Sequence, residues 1–96
     1  MGSRAEEVVE RVAQRSAECY SPKISGVDYE SHRDLFDGQA RFFVRALVTE
    51  LGITAGMVAY HRQLAHEYRE EGAEHNAGAQ TLTANALSTL LEIAEP

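Results

Sequence analysis

The chain has no tryptophan, one cysteine, two prolines and a single lysine, and charge interrupts every apolar run before it becomes long. Cys19 alone closes no intramolecular disulfide and builds no Cys-type zinc site, so a reducing compartment, the cytoplasm, is the expected home. No stretch reaches the roughly 18 consecutive apolar residues that cross a bilayer. Arg4, Glu6 and Glu7 precede any apolar run, so neither a transmembrane span nor a secretory signal is expected. Nine Lys and Arg face fifteen Asp and Glu, and at a formal charge of −6 no whole-molecule attraction to nucleic acid or to an anionic membrane is expected. Strand-like alternation never persists, and no Asn-Gly type of hairpin turn separates β-branched runs. A Gly-rich phosphate loop, a nucleophile elbow and a carboxylate pair in apolar surroundings are all missing. Catalysis and a bound cofactor are therefore not expected.

What is present is enough for one small helical domain over residues 1–96, at 44% apolar and 25% charged residues. Domains of this size bury only about 60 to 65% of their unfolded surface, which leaves a thin stability margin that a second chain can widen. The periodicity predicts a compact all-α bundle of four helices at about 4–19, 33–51, 55–71 and 82–94. Ser3 with Glu6 forms a capping box for the first helix, whose expected buried face carries Ala5, Val8, Val9, Val12, Ala13, Ser16, Cys19 and Tyr20. Ser21 to Val27 reads as a connection. The second helix starts near Ser31 or Asp37, and its apolar residues, Phe42 and Phe43 among them, cover more than half its circumference. It is expected at the centre of the bundle, with Phe42→Ala or Phe43→Ala among the most damaging changes. Gly52 ends it and Thr54 caps the third, which packs through Met57, Val58, His61, Leu64, Ala65 and Tyr68. Gly72 and then Asn76-Ala77-Gly78 weaken any helix before Leu82.

Leu47, Leu51, Gly52, Ile53, Thr54 and Val58 resemble the DNA-binding helix-turn-helix over about twenty residues. The resemblance implies a third helix presented to the major groove. Arg41, Arg45 and Arg62 against the one carboxylate Glu50 make residues 38–66 a +2 island, leaving −8 for the rest of the −6 chain. Phosphate contact through those arginines, with Tyr60 and Gln63 at the base edges, is the alternative reading. The third helix otherwise offers Ala, Gly and Glu outward, which are poor base readers. Length, acidity and helical content are also similar to the small paired-helix substrates of type VII secretion, but their Trp-x-Gly turn needs a tryptophan this chain lacks.

His66, Glu70 and Glu74, and likewise Glu67, Glu71 and His75, lie at helical spacing but in the most polar part of the chain, where a charge run reads as a solvated face; no metal site is expected. His61, inside an apolar stripe, reads as a buried imidazole hydrogen-bonded to a neighbouring backbone or Tyr group, with a pH-sensitive packing contact as the alternative. Leu82, Leu87, Leu90, Leu91 and Ile93 give the last helix more apolar face than a small monomer readily covers. The expected function is a noncatalytic protein-interaction or assembly module that self-associates through this helix or binds a protein partner.

Overall fold

The computed structural model describes residues 3–20 and 28–95, and among them every regular element is helical. Helix α1 spans Arg4–Tyr20, α2 Arg33–Leu51, α3 Ala55–Glu70 and α4 Glu74–Ala94, with a short 3₁₀ turn at Glu30–His32 before α2. The expected all-α bundle of four helices is present. The connection from Ser21 to Val27 lies outside the described residues. No single described helix is long and apolar enough to cross a membrane.

Local chemistry sets most boundaries. Ser3 Oγ accepts the N–H of Glu6 at 3.2 Å and caps α1. Before α2, Asp28 Oδ1 accepts the N–H of Ser31 at 2.8 Å within the 3₁₀ turn, while His32, the N-cap of α2, makes no side-chain cap bond. Helices α2 and α3 end in the same way. Gly52 (φ 65°) and Gly72 (φ 80°) take the left-handed conformation. The next N–H then reaches back, Ile53 to the Val48 carbonyl at 3.0 Å and Ala73 to the Tyr68 carbonyl at 2.8 Å, the six-to-one closure that satisfies orphan carbonyls. Thr54 is extended at the head of α3, but its hydroxyl makes no cap bond.

One boundary departs from expectation by more than two residues: α4 starts at Glu74 and runs straight through Asn76-Ala77-Gly78. Packing overrides weak propensity here, because Ala77 and Ala84 are wholly buried and Ala65 of α3 nearly so. Three alanines in one seam let the α3 and α4 backbones approach closely. Helix α4, not α2, touches all the others, whereas α3 touches α4 alone among the described helices. The chain turns by 76° between α2 and α3, so the two diverge from their shared corner.

The main core lies where α1, α2 and the last turns of α4 meet. Ala5, Val9, Ala13 and Ala17 of α1 form one row at four-residue spacing, packed against Tyr29, Phe36, Ala40, Val44 and Ile93. Burying Phe36 contributes about 2–3 kcal/mol of transfer free energy. Two expectations are corrected. Phe42 and Phe43 are 71% and 56% exposed, because the core takes the neighbouring row of α2 through Phe36. Cys19 is exposed instead of facing the core, since α1 is turned so that Ala17 points inward.

Tyr29 and Arg33 fasten the start of α2 to its surroundings. The Tyr29 hydroxyl donates to Asp37 Oδ1 at 2.9 Å, and the Arg33 guanidinium lies 5.1 Å from the Tyr29 ring centre. Arg33 also pairs with Glu10 of α1 at 3.6 Å. Burial, and then the bond to Asp37, pushes the Tyr29 phenol above its ordinary value.

Candidate interaction surface

Helix α2 carries two parallel rows of residues at four-residue spacing, and they have opposite fates. Phe36, Ala40 and Val44 are buried and Val48 is partly buried against the same core. One residue earlier in register, Leu35, Gln39, Phe43, Leu47 and Leu51 form the second row, all exposed. Beyond it lie Gly38, Phe42, Ala46 and Glu50, exposed as well. On a helix of 3.6 residues per turn these last two rows make one continuous face about 24 Å long. It holds four large apolar side chains plus Phe42, with Glu50 as its only charge.

The residues expected to form an apolar seam on α4 are dispersed. Leu82 is 72% exposed, while Leu87, Leu90 and Leu91 are half-buried by the chain's own helices. Ile93 is wholly buried and belongs to the core. The width of the α4 face is explained by its three neighbours, which take different parts of it.

The arginines of the helix-turn-helix reading are largely occupied with the fold. Arg45 Nε donates to the Ala94 carbonyl at 3.2 Å, placing a cation at the end of α4, where the helix dipole favours it. Arg62 donates to Asn85 Oδ1 at 3.2 Å, tying α3 to α4. Arg41 is half-buried on α2. Gln63 donates to Glu67 Oε1 at 3.3 Å, and Tyr60 is exposed. Leu47 and Leu51, which pack between the helices of that motif, remain exposed at this corner. The chain matches no protein-family model, no curated protein and no solved structure. The surface must be read from its own geometry.

His61 is half-buried at the α3–α4 seam, with its Nδ1–H donating to Gln80 Oε1 at 2.6 Å, since an amide oxygen only accepts. The Tyr60 ring meets it edge-on, with centroids 5.3 Å apart. The imidazole is hydrogen-bonded as expected, but it is half-buried and its partner is the Gln80 side chain instead of a backbone or Tyr group. His66 pairs with Glu70 at 3.1 Å in solvent. The Gly72 turn separates both from Glu74 and His75, and no group of three metal-binding side chains occurs among the described residues. An open cleft of about 730 Å³ between α1, α3 and α4 is lined by Val8, Leu82 and Leu90, with Arg4 and Arg62 at hand. Arg4 also pairs with Glu7, at 3.5 Å.

Sequence reasoning missed the α2 face because it read both of its apolar rows as one stripe. The available signal was the volume difference between them: Ala40 and Val44 suit a close helix contact, whereas Phe43 and Leu47 do not.

Proposed function

We propose that this chain is a noncatalytic, self-associating helical module. One observation carries the reading: the folded chain leaves more surface open than a finished monomer does. Its radius of gyration is 16.8 Å and its long axis 56 Å, where a finished domain of this length has a radius of about 12–13 Å. Its accessible surface is 6723 Å², against about 5,500 Å² for a compact monomer of this mass. The surplus, on the order of 1,200 Å², exceeds the roughly 800 Å² that each partner buries in a standard interface. Large apolar side chains stand exposed among the described residues, five of them on α2, with Met57 and Tyr60 on α3 and Leu82 on α4.

Sedimentation velocity over about 1 to 100 µM tests the reading. Reversible association with a midpoint inside that range is the expected result. A single monomeric species at every concentration would overturn it.

A further inference from the structure

Building on that self-association, we infer that the partner is a second copy of this chain, docked α2 against α2 across a two-fold axis. The contact is the ridge Leu35, Phe43, Leu47 and Leu51 together with Phe42. These side chains are 55%, 56%, 36%, 66% and 71% exposed, so the monomer leaves more than half of each uncovered except Leu47.

Three features of the face point to itself as the occupant. The first is its pitch. Leu35, Gln39, Phe43, Leu47 and Leu51 form a single row at four-residue spacing, and rows of that kind from two helices interlock at a crossing angle of about −50°, the commonest helix contact in globular proteins. The second is relief. In the adjacent row Phe42 stands between Gly38 and Ala46, four residues to either side, and nothing lies within 4 Å of where a Cβ on Gly38 would be. A bulky knob flanked by small residues on one helix fits the same pattern turned through a two-fold axis, as an isologous contact requires. The third is charge. The molecule carries −6, and residues outside 38–66 account for −8, so two copies repel each other over most of their surfaces. This face holds one carboxylate, Glu50, at its edge. It is where two acidic copies can meet at least electrostatic cost.

The test uses the full chain. Phe43→Asp places a carboxylate at the centre of the ridge, on a side chain that is mostly exposed, so the helical circular dichroism of the monomer is retained. Its dimer dissociation constant is expected to rise by roughly 100-fold or more, as for the loss of a central anchor on both sides of a contact. Leu82→Asp, on α4, leaves the dimer intact. Ala46→Cys in a Cys19→Ser background becomes bridged between chains by a short bismaleimide, and Thr83→Cys on the exposed side of α4 does not.

If Phe43→Asp still dimerises, or Leu82→Asp dissociates equally, the ridge is not the contact and the proposal fails while self-association stands. If Phe43→Asp is monomeric but Ala46→Cys is not bridged, α2 docks on a different part of the second copy, which also overturns the pairing. A wild-type chain that is monomeric throughout removes self-association and this pairing together.

Discussion

Phe36→Ala and Phe42→Ala are the same chemical change six residues apart on one helix, and the fold assigns them opposite consequences. Phe36 is 2% exposed, is among the largest fully buried side chains, and packs into the core of α1, α2 and Ile93. Its truncation removes the transfer energy of a buried ring and leaves a cavity among alanines and valines too short to fill it, a loss of about 3–5 kcal/mol. Phe42 is 71% exposed, so its truncation in the monomer stays within about 0.5 kcal/mol. For a chain of this length 1 kcal/mol moves the melting temperature by about 4–8 °C, so Phe36→Ala lowers it by 12 °C or more. Thermal and urea melts followed by far-ultraviolet circular dichroism, with protein dilute enough to be monomeric, separate the two. Equal destabilisation by both variants, or greater destabilisation by Phe42→Ala, would refute this assignment of the core.

Gly52→Ala should cost about 1 kcal/mol in urea melts, because φ is 65° there and a Cβ is strained even though nothing lies within 4 Å of it. Ala84→Leu forces a larger side chain into the wholly buried α3–α4 seam and should destabilise by about 1–3 kcal/mol, with loss of amide-exchange protection in α3. Tyr29→Phe removes the hydroxyl bond to Asp37 and should cost about 1 kcal/mol near neutral pH. The Tyr29 phenol is raised in the folded state, first by burial and then by Asp37, above its ordinary value of 10.0. Its contribution is therefore whole below that value and is lost as pH climbs through the folded-state one. Urea melts of both proteins at about pH 8 and about pH 11 should show the wild-type advantage shrinking at the higher pH; an advantage that grows would reverse the assignment.

The sequence exposed the features that depend on neighbouring residues. Ser3 caps α1 through Glu6, and the Gly52 corner has the left-handed geometry that Leu51-Gly52-Ile53 implies. It was less informative wherever the outcome depended on what lay across the interface. Asn76-Ala77-Gly78 reads as a break, yet the absence of bulk there is what allows α4 to lie close along α3. Phe42 and Phe43 read as core because hydrophobicity shows that a residue wants cover, not whether its own fold provides it. The +2 island is legible in composition, but the engagement of Arg45 and Arg62 with α4 appears only when the helices are assembled.

Apolar surface of this extent on a small protein is ordinarily an aggregation hazard, and the charge distribution bears on how the proposed pairing would restrict it. A sticky face that met any surface of another copy would give head-to-tail contacts, and such contacts propagate into open chains. Here a head-to-tail encounter brings the α2 face of one acidic molecule against a surface drawn from the −8 remainder of the next, while a face-to-face encounter uses up both apolar ridges at once. Closure then leaves no second ridge on either copy. Added salt screens the residual repulsion between two −6 molecules and strengthens this kind of contact, whereas it weakens the arginine–phosphate contact of the helix-turn-helix reading. The sign of the salt dependence therefore separates the two uses of the 38–66 segment without any mutation.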